Sequence, residues 1–85
     1  MFDIEAIKSS RPLLKFVWDE AYERWQAKVT VEGVRVVYVL DNSCNQPFTP
    51  EPGKKNYFEC RVTRVLLARS RPSFYLVGVA ILGLP

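Results

Sequence analysis

The ten residues at positions 73–82 contain no charged side chain and are rich in β-branched and aromatic residues. This composition predicts a strand. At the edge of an open sheet, an uncharged strand of this length would template aggregation. We therefore expect a sheet that curls until this strand pairs with the first strand or the N-terminal segment, or a sheet that pairs across a dimer interface. Gly78 is suited to the bend that closure requires.

A helix is predicted over residues 12–24. Ser10 can cap the N-terminus of such a helix, and proline is favoured in a first turn, where Pro12 lies. The residues before it, 3–8, are compatible with either a helical turn or a short strand. Apolar residues then recur at helical spacing, at Leu14, Val17, Trp18, Ala21, Tyr22 and Trp25.

Two strands are predicted after this helix. Apolar and polar residues alternate strictly over residues 24–32, which is typical of a half-buried strand. Gly33 then marks a hairpin turn, although Glu-Gly is a weaker turn signal than Asn-Gly. Residues 34–40 are apolar at nearly every position, so we expect a central strand that is covered on both faces.

A further strand over residues 57–68 contains a change of phase. If the alternation that begins at Tyr57 continued unbroken, the Arg64 side chain would point into the core and the side chain of the following valine would point into solvent. One extra residue near Arg64 exchanges the two faces, so we predict a β-bulge there, with Arg61 and Arg64 both exposed. A strand buried on both faces, with Arg64 paired to an acid, is the alternative.

Together these elements predict one domain over residues 1–85. The fold class is α+β, with one N-terminal helix followed by a four-stranded, strongly curved antiparallel sheet, either a meander or a small barrel. Trp18 and Trp25 are expected in the core. The two cysteines do not make a disulfide framework, and we expect a core Cys60 and an incidental Cys44.

Catalysis and metal binding are not expected. The chain has no histidine, only two cysteines and only four glycines, and it contains no phosphate-binding loop or nucleophile motif. We predict neither an enzyme nor a cofactor. The N-terminus lacks the pattern of a secretory signal, and the longest apolar run is too short for a membrane helix. A cytoplasmic protein without membrane contact is the expectation.

A basic patch is the best candidate for a binding site. The window over residues 54–71 carries six basic residues and one acid, against a whole-chain net charge of +3. Basic residues neutralise phosphates and Tyr57 can stack on an unpaired base, so we predict nucleic-acid binding, with single-stranded nucleic acid or RNA favoured. Alternatively, these charges protect the following apolar strand from aggregation. The basic residues are Lys54, Lys55, Arg61, Arg64, Arg69 and Arg71.

The competing function is a protein-interaction module, such as a small inhibitor or adaptor that docks on an acidic partner surface. Phe48 lies in a proline-rich segment, residues 41–56, and an exposed aromatic on a stiff loop is a natural anchor for a partner. The same ring could instead fold back over one end of the sheet. A homodimer through the last strand is compatible with either function.

Overall fold

The computed structural model describes residues 4–41, 46–71 and 74–80, with side chains for residues 5–7, 9–41 and 46–65. This part of the chain is mostly β, with a single very short helix. The elements are α1 (Ile4–Ser9), β1 (Leu13–Asp19), β2 (Arg24–Val31), β3 (Val34–Leu40), β4 (Tyr57–Arg61), β5 (Arg64–Arg71) and β6 (Phe74–Ala80). Four strands in the order β4-β1-β2-β3 form an antiparallel sheet, and the antiparallel pair of β5 and β6 extends this sheet beyond β3.

The helix predicted over residues 12–24 is wrong, because strand β1 occupies most of this segment. Leu14 and Phe16 are buried, whereas Leu13 and Lys15 on the opposite face are exposed. β1 pairs with β4 on one side and with β2 on the other. Strand neighbours therefore satisfy its backbone groups, and tertiary pairing overrides the helical spacing of the apolar residues.

Ser10 terminates a helix instead of starting one. Its backbone N–H donates to the carbonyl oxygen of Ala6 at 3.0 Å, and its hydroxyl donates to the carbonyl oxygen of Ile7 at 2.8 Å. Pro12 follows two residues later, a common position for proline after a helix C-terminus. Residues 4–9 thus form the helical turn that was one of the two options for the N-terminal segment.

The break between β1 and β2 is a polar turn over residues 20–23. Asp19 Oδ1 accepts hydrogen bonds from the backbone N–H groups of Ala21 at 2.9 Å and Tyr22 at 3.1 Å. Glu23 closes the turn with a positive φ of 52°. An Asp side chain that bonds to the following amides favours a turn over a continuing helix.

The predicted hairpin at Gly33 is confirmed. Glu32 and Gly33 have φ values of 50° and 80°, the two positive angles that define a type I′ turn. This turn fixes the pairing of Val31 with Val34 and of Thr30 with Arg35. The strands expected on either side of it are β2 and β3.

The third predicted strand is divided into β4 and β5, joined only by Val62 and Thr63. Val62 is fully buried, and its N–H donates to the carbonyl oxygen of Pro12 at 2.9 Å. A register shift does lie near Arg64, between Val65 and Leu67, but the change of face between Arg61 and Arg64 comes from the strand break at Val62 and Thr63 and not from the predicted bulge. Arg61 and Arg64 are both exposed, as expected.

The last strand is not an edge. β6 pairs in parallel with β3 and antiparallel with β5, so the described part of the charge-free segment, residues 74–80, has backbone partners on both sides. The expected purely antiparallel order is therefore wrong. The sheet does not close into a barrel either, because within the described residues β4 and β5 are the two ends of the ladder and do not pair with each other.

The sheet is nevertheless not flat. In a flat sheet of six strands the two outer strands would lie about 24 Å apart. The two linking residues can span only about 10 Å between Arg61 and Arg64. The two ends of the ladder therefore approach each other at this link.

The core lies on one face of this sheet. Cys60 and Val62 are both fully buried there, and burial raises the pKa of the Cys60 thiol to about 11. The expected core position of Cys60 is confirmed, whereas Cys44 lies outside the described residues. The buried apolar residues are Ile7, Leu14, Phe16, Trp25, Ala27, Val36, Tyr38, Leu40, Cys60 and Val62.

The turn at Glu32 generates a stability prediction. A non-glycine residue at positive φ is strained, but Asn tolerates it and is preferred in type I′ turns. Glu32→Asn should raise the free energy of unfolding by about 0.5–1 kcal/mol, and Gly33→Ala should lower it by about 1 kcal/mol. Urea denaturation with an unchanged m-value measures both. Glu32→Gln is the matched control, and an equal gain from it would assign the effect to charge.

The buried thiol generates a pH prediction in a Cys44→Ser background. The folded-state pKa of Cys60 is raised from 9.0 to about 11, so its contribution to stability is complete below about pH 9 and is lost as the pH rises through 11. The free energy of unfolding should therefore fall more steeply over this range than in a variant that also carries Cys60→Ala. Equal slopes in the two proteins would contradict the assignment.

Candidate functional site

The basic window divides between the two ends of the strand ladder. Lys54 and Lys55 are exposed in the loop before β4, where Lys54 Nζ lies 2.8 Å from Glu51 Oε2. Arg61 ends β4, and its guanidinium donates to the carbonyl oxygen of Arg11 at 2.9 Å. Two of these three cations thus already have partners within the protein.

The other three predicted cations lie on β5. Arg64, Arg69 and Arg71 pair with Ala80, Leu76 and Phe74 of β6. These β6 residues are separated by even numbers, so all three arginine positions belong to one face of the sheet. The register shift after Arg64 makes this alignment possible, because without it Arg64 would fall on the opposite face.

The same face continues across β3 and β2. Arg35 pairs with Phe74 of β6 on one side and with Thr30 on the other, and Lys28 lies two residues before Thr30. Lys28 and Arg35 are exposed, which identifies this face as the one opposite the core. We call it the cationic face, defined by the positions Arg24, Lys28, Arg35, Arg64, Arg69 and Arg71.

The cationic face contains no acid on its strands. β2, β3, β5 and β6 have no Asp or Glu in their sequences. On the neighbouring strands the outward positions are mixed, since Lys15 pairs with Glu59 and Asp19 pairs with Arg24. Positive potential is therefore concentrated on the β2–β3–β6–β5 part of the sheet.

Tyr57 lies on the mixed part of the outer face. Its side chain is 51% exposed, and Lys15 Nζ lies 4.3 Å from the centre of its ring. The cation covers one face of the ring, a favourable cation–π geometry. Tyr57 is thus accessible, as predicted, but it belongs to β4 and not to the cationic face.

The structure adds four residues that the basic window missed. Tyr22, Arg24, Lys28 and Arg35 line a depression of about 460 Å³ on the outer side of β2 and β3. A search along the sequence misses them because they are dispersed over two strands and a turn. The alternation in β2 and the hairpin at Gly33 were the signals that could have grouped three of them.

Phe48 folds back onto the core. Its ring makes edge contacts with Trp25 at 5.3 Å and with Phe58 at 6.5 Å between ring centres. Trp25 is only 2% exposed, and its indole Nε1 donates to Gln46 Oε1 at 2.6 Å. The ring contacts of Phe48 and the hydrogen bond of Gln46 thus hold the loop against the sheet, although the Phe48 ring remains 41% exposed.

The remainder of this loop is ordered by Asn56, which is buried. Its Nδ2 donates to the carbonyl oxygens of Glu51 and Lys54 at 2.9 and 3.0 Å, and its Oδ1 accepts from the Glu51 N–H at 3.1 Å. Its own carbonyl oxygen accepts from the Trp18 N–H at 3.0 Å. One buried amide therefore connects the loop to β1.

Among the residues described, no group of His, Cys, Asp and Glu side chains could hold a metal ion. No described helix has the length and apolar character needed to cross a membrane.

The packing of Phe48 generates a stability prediction. Phe48→Ala should lower the free energy of unfolding by roughly 1–2 kcal/mol, less than a fully buried phenylalanine would, because the ring is partly exposed. Loss of the ring also uncovers Trp25, so tryptophan emission should shift to longer wavelength. Phe48→Leu should show smaller changes in both measurements. Unchanged stability and unchanged tryptophan emission in Phe48→Ala would contradict the packing of Phe48 on Trp25.

Comparison of this chain with models of protein families, with curated proteins and with solved structures finds no match. Its functional residues are therefore assigned from the geometry of the site.

Proposed function

We propose that this protein is a small binding module, without catalytic activity, that contacts nucleic acid through the cationic face. The observation that carries the proposal is the strand register. It aligns Arg64, Arg69 and Arg71 of the basic window with Lys28 and Arg35, which lie far from that window in sequence. A local cluster of charge thereby becomes part of a broader basic surface.

Electrostatics favour a polyanion as the ligand. Arg35 and Arg71 lie on either side of β6, about 10 Å apart across the sheet, and none of the four strands supplies an acid. Each phosphate that these residues neutralise releases a condensed counterion, and this release drives association with nucleic acid.

Single-stranded nucleic acid or RNA is the favoured form. Tyr22 lies beside Lys28 and Arg35 of the cationic face and is 70% exposed, whereas Tyr57, on the adjoining mixed part of the outer face, is 51% exposed. Each ring has a cation over it, at 4.6 and 4.3 Å. Exposed aromatic faces beside cations are the usual platform for unpaired bases. A flexible strand can also follow the curved outer face, which a stiff duplex follows only by bending.

An acidic protein partner is the competing proposal. The sequence supported this partner through Phe48 as an exposed anchor, and this support is weaker because the Phe48 ring packs on Trp25 and Phe58. The reason to expect a dimer through the last strand is weaker too, since β6 has backbone partners on both sides. Both remain predictions, and the binding experiment below separates them from the nucleic-acid proposal.

Titration with single- and double-stranded oligonucleotides over a salt series tests the proposal. For a single strand, log K should fall linearly with log salt, with a slope of about −0.7 for each phosphate contact. Changing Arg64, Arg69 and Arg71 together to Gln should reduce the magnitude of the slope by about 2. Changing them together to Lys should preserve the slope. Sedimentation confirms that each variant is not aggregated.

The matched control changes Arg11, Lys54 and Lys55 to Gln, which removes the same charge at exposed positions away from the cationic face. It should alter the slope much less than the β5 triple variant. Absence of oligonucleotide binding at low salt would overturn the proposal and favour an acidic protein partner. Equal losses in the two triple variants would show that net charge, and not the cationic face, governs binding.

A further inference from the structure

The depression on the outer side of β2 and β3 has a volume of about 460 Å³, which is the size of a small-ligand site. Three basic side chains line it, together with Thr30, Val37 and the exposed ring of Tyr22. The basic residues are Arg24, Lys28 and Arg35. All three lie outside the basic window, although the strand register places them on the cationic face.

One end of the depression is an aromatic platform. The Arg24 guanidinium lies 4.6 Å from the centre of the Tyr22 ring, and its Nε donates to Gln26 Oε1 at 2.8 Å. Gln26 is itself buried. The Tyr22 backbone is held by its bond to Asp19 Oδ1. These contacts hold the Tyr22 backbone and place a guanidinium over its ring, which is 70% exposed, so the ring is accessible to an incoming planar group.

The adjacent part of the depression is suited to an anion. Thr30 pairs with Arg35 and Lys28 pairs with Val37, which makes Lys28 and Arg35 diagonal neighbours on one face. Diagonal neighbours in an antiparallel pair lie about 7–8 Å apart, within reach of two long side chains that converge on one ligand. The Thr30 hydroxyl between them can donate a hydrogen bond to a phosphate oxygen.

We propose that this depression holds one nucleotide unit of a single-stranded nucleic acid. The base stacks on Tyr22, and a phosphate lies between Lys28 and Arg35. This inference rests on the proposed function and identifies a specific subsite within it. An aromatic face beside a pair of cations matches a base and its phosphate, whereas an acidic peptide would use the cations alone.

The experiment compares an oligonucleotide with an abasic oligonucleotide of the same length, which keeps the phosphates and lacks the bases. Tyr22→Leu should weaken binding of the intact oligonucleotide by about fivefold or more and leave the abasic one unchanged. Tyr22→Phe, which keeps the ring, should bind both as the unaltered protein does. Urea denaturation confirms that each variant is folded.

The anion part of the subsite is tested by the double variant Lys28→Gln, Arg35→Gln. It should reduce the magnitude of the salt slope by about 1.4, the value for two phosphate contacts on a single strand. Lys54→Gln with Lys55→Gln is the control of equal charge change outside the depression.

Failure of the inference and failure of the proposed function give different results. Suppose that the unaltered protein binds the intact oligonucleotide with a steep salt slope, but that Tyr22→Leu binds as Tyr22→Phe does and the Lys28, Arg35 double variant has the same salt slope as its lysine control. The subsite assignment is then wrong and the binding function stands. If the unaltered protein binds no oligonucleotide at low salt, both are overturned. Equal losses by Tyr22→Leu on the intact and abasic oligonucleotides would also overturn the stacking assignment.

Discussion

The parallel pairing of β6 with β3 is the constraint on which the remainder of the sheet depends. It places the described part of the charge-free segment inside the sheet, with β3 and β5 as neighbours. It also carries β5 to the end of the ladder opposite β4, although only two residues separate these strands in the chain. Curvature of the sheet follows from this short link, because a flat sheet would hold its ends too far apart.

The same pairing determines how charge is distributed on the surface. Parallel strands in register keep their residues on matching faces, so the arginine positions of β5 continue the face that contains Lys28 and Arg35. Protection against aggregation and ligand binding are compatible roles for these residues. Cations beside an apolar strand discourage association of partly folded chains, and cations on one face of a sheet can also bind a polyanion.

Aromatic packing holds three strands and the loop before β4 together. Trp25 lies between Trp18, Phe58 and Phe48, with ring centres between 4.9 and 5.3 Å away. This cluster connects β1, β2, β4 and the loop before β4. Phe48, which the sequence suggested either as a partner anchor or as a ring folded over one end of the sheet, thus packs in the described structure against the core. Accessible aromatic surface is provided instead by Tyr22 and Tyr57.

Local sequence signals were sufficient where one strand or turn decides the outcome. Alternation over residues 24–32, the Gly33 turn, the change of phase near Arg64 and the burial of Cys60 each depend on neighbours in the chain. The same parity argument predicted that Arg61 and Arg64 are exposed, although the two residues lie on different strands. These features depend on the two-residue period of strands and on the conformational freedom of glycine, both of which are local.

Features that require knowledge of distant neighbours could not be predicted in this way. Leu14 and Trp18 fit the spacing of a strand as well as that of a helix, and the pairing of β1 with β4 and β2 selected the strand. The cationic face likewise joins residues from three strands that the chain separates. Local sequence determined which residues alternate and where the chain turns. The tertiary structure decided which strands pair, because hydrogen bonding between strands fixes the register that brings distant charges together.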